Sequence, residues 1–356
     1  MSYSIAFAAA LADCYLAADV PFILHGDPGL GKSDAIRKAA RRRFDGRVVD
    51  FRASNRDAVD LMGVPSVEGG LTVWNIPAEL PNAARHGERG ILFLDEMNRG
   101  TAQTQAGLLS LSLDRFVGAY DMRVSAPGWR IASACNVKGM ARMDPANANR
   151  FAHIEVAPDV ESWIDWACGT DTKSVALAPD SYLDTLEARA AAPVEIPPVM
   201  VAFMRLKPDQ LHAMPSGGDI RAFPSPRSWA MAARFVDAPE SLRLALIAGC
   251  VGEVAAVALE AFILTYRSLP TLAEILADPT GAKLPSASEI AAQHLLSAVL
   301  SRKADRKTWP AIATYAARLI PELEVLTFTD AVKRAPELVE THEYVAFQVR
   351  RQAELN

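Results

Sequence analysis

The sequence predicts an α/β fold: a doubly wound parallel sheet of the phosphate-loop type, carrying hairpin insertions and followed by helical regions. Three observations predict it. Short apolar runs alternate with helix-prone stretches through the first half of the chain, the pattern of a parallel sheet covered on both faces. Gly26, Asp27, Pro28, Gly29, Leu30, Gly31, Lys32 and Ser33 spell G-x-x-x-x-G-K-S between the apolar run Phe22-Ile23-Leu24 and a helix-prone stretch. Beyond Asp159 the alternation gives way to nearly continuous helical spacing.

Each element follows from local chemistry. Residues 1–20 are rich in alanine and interrupted by Asp13 and Asp19. They lack the basic start and cleavage pattern of a signal peptide, and read as an amphipathic helix packed on the core. Strands are expected at 21–25, 48–51, 91–94, 129–134 and 153–156, where apolar and β-branched residues cluster. His25 reads as a residue packed on the first strand. Gly69-Gly70, flanked by β-formers, predicts a hairpin over 64–74, and a second is expected over 116–124. Neither belongs to a minimal doubly wound sheet, so both are insertions. Trp74 reads as core rather than as a substrate contact. A helix is expected over 161–167, then a polar break over 168–180. A loop rich in Pro and Gly over 209–226 leads into a helix that begins at Arg227. Segments 241–266, 286–302 and 330–355 have helical spacing. The division that results is 1–169 for the α/β domain, with helical regions at 170–240 and 241–356.

Bulk composition narrows the function classes. The chain has 356 residues, 50% of them hydrophobic and 22% charged, as in a globular protein with a substantial core. Net charge is −5, which argues against a chain that binds nucleic acid along its whole surface, while a local basic face is still allowed. Lys38 and Arg41-Arg42-Arg43 read as cations favourable at a helix C-terminus. Four dispersed cysteines form no CxxC, so neither a zinc site nor a disulfide framework is expected, which fits a reducing cytoplasm. The apolar run between Arg243 and Glu253 is too short to span a bilayer, which takes about 20 residues.

The candidate chemistry lies at strand ends. In a loop of this spacing, glycines let the backbone curl so that its N–H groups face phosphate oxygens, and the following helix adds its own unpaired N–H groups. Lys32 neutralises the outer phosphates and the Ser33 hydroxyl ligates magnesium. The run Ile91-Leu92-Phe93-Leu94 ends in Asp95-Glu96. A buried strand would deliver Asp95 to the magnesium shell, and Glu96 would deprotonate the attacking water. The alternative is a pair of carboxylates that cap the next helix. Asn136 ends the neighbouring strand, either to position that water or as an ordinary turn residue. Asp27 reads as turn chemistry.

These motifs in this order resemble the AAA+ ATPases, and the spacing is most similar to the MoxR branch, related to the dynein and McrB-like ATPases. The resemblance runs over Val20 to Val236: Leu61-Met62-Gly63, the first hairpin, Leu94-Asp95-Glu96-Met97-Asn98-Arg99, Gln105-Ala106-Gly107-Leu108-Leu109, Asn149-Arg150-Phe151 and Ser225-Pro226-Arg227. It implies an AAA+ core with an α-helical lid in 170–240; the helical region 241–356 matches no recognised motif and would complete the lid or dock a partner. Asn136 would be sensor 1. Arg150 would be an arginine finger that reaches a neighbouring subunit's site, a contribution of about 10³–10⁵ in rate in related NTPases. Arg227 would be sensor 2, touching the nucleotide in cis. Arg99 and Arg142 are further interface candidates. Arg150 as a surface residue, and Arg227 paired with an acidic neighbour, are the plain alternatives. The usual finger motif carries Asp where this chain has Asn149.

The resemblance therefore implies an ATP- and magnesium-dependent motor that forms a ring, expected to be a hexamer. Its client would be a protein, often one with a von Willebrand factor A domain. Two other readings stand beside it: a nucleotide-gated binding module with slow hydrolysis, and an McrB-like motor on nucleic acid.

Overall fold

Strand positions are set by apolar runs, and ten strands form among the described residues. They are β1 (Ser2–Tyr3), β2 (Phe22–His25), β3 (Val48–Arg52), β4 (Val64–Glu68), β5 (Leu71–Asn75), β6 (Arg89–Asp95), β7 (Phe116–Val117), β8 (Tyr120–Asp121), β9 (Gly128–Cys135) and β10 (Ala152–Val156). The computed structural model describes residues 1–136, 145–169, 178–217, 221–266 and 269–354. Six strands make one parallel sheet in the order β1-β10-β2-β9-β6-β3. Every residue of β2 is buried, because β2 lies between β10 and β9 and is covered on both faces. The edge strand β3 keeps only Phe51 buried.

Two readings of the sequence are corrected here. The first helix, Ile5–Ala17, is buried on nearly all sides from Ala8 onward, rather than amphipathic. Its Asp13 is accommodated by an ion pair to Arg42 of the helix Lys32–Arg43. The residues before it, Ser2–Tyr3, form an edge strand on β10. Trp74 is not core. It is 45% exposed on the β4–β5 hairpin, which stands outside the main sheet.

The chain divides into two compact units, 1–195 with 212–256 and 196–211 with 257–356. Expected boundaries at 169 and 240 thus both fall inside the first unit. There the helix Glu240–Val251 stops at Gly252, whose φ of +86° and close approach to Ala222 O admit only glycine. The helix Glu253–Tyr266 follows, and the first unit ends within it at Ala256. In the second unit, Trp309, Phe328 and Phe347 form the centre of a separate apolar core. Phe328 and Phe347 stack at 4.1 Å, and Glu324 pairs with Arg350 and Arg351. Among the described residues no helix is long and apolar enough to cross a membrane.

The sheet tolerates little extra volume where the start of β6 meets Trp129 of β9. A Cβ on Gly90 in β6 would lie 2.6 Å from the ring of Trp129, which is fully buried and bonded through Nε1 to Gly87 O. Gly90→Ala is therefore expected to destabilise the first unit by about 1–3 kcal/mol through overpacking. A thermal melt reads this directly, and an unchanged midpoint would contradict the packing described.

Candidate functional site

Parallel strands put their C-terminal ends on one edge, and ligands of open α/β sheets bind there. Gly26 follows β2, Asp95 ends β6, Glu96 follows it, and Asn136 follows β9. The register aligns them: Leu24 lies beside Ala134, Ala134 beside Asp95, and Asp95 beside Arg52.

The loop is shaped by its glycines. Gly29 and Gly31 have φ of +85° and +80°, which side chains resist. Gly26 is needed for a different reason: a Cβ would sit 2.8 Å from Val156 O at the end of β10. Its N–H donates to Cys135 O at 3.3 Å, tying the loop to β9. Gly31 is the N-cap of the helix Lys32–Arg43, so Lys32 and Ser33 lie in the first turn, where N–H groups have no intrahelical acceptor. Lys32 Nζ donates to Gly26 O at 2.8 Å, Asp27 O at 2.9 Å and Asn136 Oδ1 at 3.2 Å. Burial lowers the Lys32 pKa, and the nearby Asp95 carboxylate opposes that shift. Lys32 and Asn136, separate predictions in the sequence, thus meet.

The acidic side is more heavily paired than the sequence indicates. Burial raises the Asp95 pKa, and the Arg52 guanidinium, 3.0 Å from Oδ2, works against this. Oδ1 accepts the Glu96 N–H at 3.0 Å. Glu96 has φ of +51°, a conformation that non-glycine residues adopt sparingly, and its N–H also donates to Ala134 O at 3.0 Å. Arg99 Nη1 lies 3.3 Å from Glu96 Oε1. Asn98 Nδ2 donates to Asn136 O at 3.4 Å, so the segment after β6 is tied to the tip of β9. Arg52 was missed in the sequence because the second strand was ended at Phe51. One further residue puts it in register with Asp95.

The donors suited to a divalent cation are the Ser33 hydroxyl and the Asp95 carboxylate. Among the described residues no three His, Cys, Asp or Glu side chains form a metal cluster. A site of few, hard oxygen donors fits magnesium, which keeps waters and substrate phosphates in its shell.

Arg150 is held elsewhere. It precedes β10, whose first residue, Ala152, pairs with Phe22 at the start of β2. The loop follows the other end of β2, about 13 Å along the strand at the usual rise per residue. Arg150 Nη1 donates to Leu109 O at 3.0 Å and lies 3.8 Å from Asp114 Oδ2, on the helix Ala102–Asp114. Its guanidinium lines a cavity of about 420 Å³ with Gln105, Leu109, Ser110, Asp114 and Asn147. Its Nε is buried with no partner among the described residues. Arg227 lies in the first turn of the helix Pro226–Ala233, exposed and paired with no carboxylate among the described residues. Arg142 lies outside the described residues.

Two buried contacts had no signal in the sequence. His25 is buried as expected but bonds His153, with Nε2 and Nδ1 2.8 Å apart and the rings stacked. His153 Nε2 lies 2.8 Å from Ala148 O, so it donates there and its Nδ1 accepts from His25. The second contact joins Asn149 to Phe223 and Ser225.

No protein-family model and no curated protein matches this chain. Among solved structures it is similar to the crystal structure of "a putative ATPase" from Cytophaga hutchinsonii, over 69% of this chain and 76% of that one, at 14% identity and a TM-score of 0.42. A likeness at this level identifies neither family nor activity.

The histidine pair makes stability depend on pH. Burial first, then His153, Arg221 and Lys32, hold the His25 pKa well below 6.5. In the unfolded chain His25 takes up a proton as pH falls through about 6.5, whereas the folded chain resists it. Stability is therefore expected to be level above about pH 7.5 and to fall as pH drops through about 6.5 towards 5.5. Urea midpoints across this window measure it. His25→Gln is expected to flatten the profile, and an unchanged slope in that variant would contradict the assignment.

Proposed function

We propose that this chain is a magnesium-dependent ATP hydrolase of the AAA+ class, of the MoxR type, that works as a ring and remodels a partner protein. One observation carries the reading. The lysine of a G-x-x-x-x-G-K-S loop is hydrogen-bonded to the asparagine at the tip of β9, beside a buried carboxylate at the tip of β6. The loop N–H groups and Lys32 bind the phosphates. Ser33 and Asp95 hold magnesium, which when bound draws charge from the terminal phosphates. Glu96 takes the proton of the attacking water, and Asn136 orients that water. Arg227 is the sensor 2 arginine of this reading.

The position of Arg150 supports action in trans. It lies at the end of the strands opposite its own loop, on a cavity whose lining mixes polar Gln105, Ser110, Asp114 and Asn147 with apolar Ala102, Ala106 and Leu109. A ring, expected to be a hexamer, supplies the neighbouring site that such an arginine needs. The β4–β5 hairpin supports a protein client: Val64, Val67, Leu71 and Trp74 are exposed on it. A von Willebrand factor A domain in that client is what the family resemblance suggests. The basic cluster at the end of the helix Lys32–Arg43 gives little support to nucleic acid. Arg42 pairs with Asp13, and Arg43 with Asp184 and Glu187.

Glu96→Gln is expected to lower magnesium-dependent turnover by about 10²–10⁴. Unchanged turnover would remove Glu96 as the base. Arg150→Ala is expected to lower turnover by about 10³ or more and leave nucleotide binding nearly intact. Mixing that variant with Lys32→Ala should restore part of the activity, because the two defects can occupy opposite sides of one interface. Failure to complement, with mixed assemblies shown to form, would rule out a finger in trans.

A further inference from the structure

We propose that Asn149 is a positioning residue that ties Arg150 to the helix bearing Arg227, so that the two arginines shift as one piece. The inference rests on the roles given to those arginines above. Asn149 is 7% exposed. Its Nδ2 donates to Phe223 O at 3.2 Å, and its Oδ1 accepts from Ser225 Oγ at 2.6 Å. Both partners lie within the three residues that enter the helix Pro226–Ala233.

Ser225 is the N-cap of that helix. Its Oγ accepts the Ser228 N–H at 3.1 Å, and its own N–H donates to Ser228 Oγ at 2.9 Å, a reciprocal capping box. The cap uses the acceptor side of the Ser225 hydroxyl and leaves its proton for Asn149. The amide is thereby fixed in orientation, with its oxygen on Ser225 and its nitrogen on the Phe223 carbonyl. Asp has the same size but, ionised, only accepts, so it would set oxygen against the Phe223 carbonyl. This gives a chemical reason for Asn at this position.

The other end of the tie is equally held. Arg150 follows Asn149 in the chain and donates to Leu109 O, while His153 fixes Ala148 O on the preceding residue. The amide spans 76 residues of sequence to reach Ser225. A change in the pitch of the helix Pro226–Ala233 must either break two buried hydrogen bonds or carry the Arg150 segment with it. The nucleotide contact made by Arg227 is in this way linked to the finger presented to the neighbouring site.

A double-mutant cycle on the full-length chain tests this. Asn149→Ala and Arg227→Ala are each expected to lower kcat about tenfold, and the double variant to lose less than a further threefold, because both cut one linkage. Asn149→Asp keeps the volume, removes the donor and adds a charge; it is expected to lower kcat at least as far as Asn149→Ala does and serves where the alanine variant folds poorly. A purely structural Asn149 would lower the thermal midpoint and leave kcat unchanged, or would give losses that multiply, and either result overturns the inference. Wild-type chain without magnesium-dependent turnover would overturn the proposed function and this inference together. Normal wild-type turnover with multiplicative losses would overturn the inference alone.

Discussion

The Lys32 ammonium donates to two carbonyls of its own loop and to the side chain of Asn136, and it is largely withdrawn from water. A buried cation costs several kcal/mol unless its donors are met, so its position fixes its surroundings. Gly26 must approach β10 closely to present its carbonyl, and Asn136 must stand at the end of β9. Both requirements are met because β2 lies between β9 and β10 in a parallel sheet, with strand ends in step. The order of strands is the condition, and the lysine contacts are its local consequence.

The acidic half of the site is balanced by the same electrostatics. Asp95 and Lys32 are both penalised by burial; Arg52 offsets this for Asp95, and Asp95 offsets it for Lys32. Arg52 and Arg99 add cations beside Asp95 and Glu96. A divalent cation near Asp95 would compete with Arg52 for one carboxylate, so cation binding and the Arg52 ion pair are coupled. Glu96, held in a left-handed conformation by two bonds from its N–H, has its backbone aimed before any substrate arrives.

Much of this was legible in the sequence where the signal is local. The loop, the strand before it and the Asp95-Glu96 strand end depend on residues within a few positions of one another, and the five predicted sheet strands occur close to their predicted bounds. Contacts between distant segments were not legible. His25 with His153, Arg52 with Asp95 and Asn149 with Ser225 each require a particular register or loop path, and periodicity carries no information about partners. Trp74 was misread for another reason. Its residue type suggests burial, but a two-stranded hairpin outside the sheet has no second layer to cover it. The first helix shows the converse: it reads as amphipathic, but it is buried nearly all round and Arg42 pairs with its Asp13.

We propose the edge of the sheet around Lys32 as a nucleotide site. Calorimetric titration of the chain with ATP, with and without magnesium, tests it most directly. Saturable one-to-one binding strengthened by magnesium is expected, with a loss of at least about tenfold in affinity in Lys32→Ala, the size of a charge-assisted contact to phosphate. Equal binding by wild type and Lys32→Ala, or no binding by a folded wild-type chain, would contradict it.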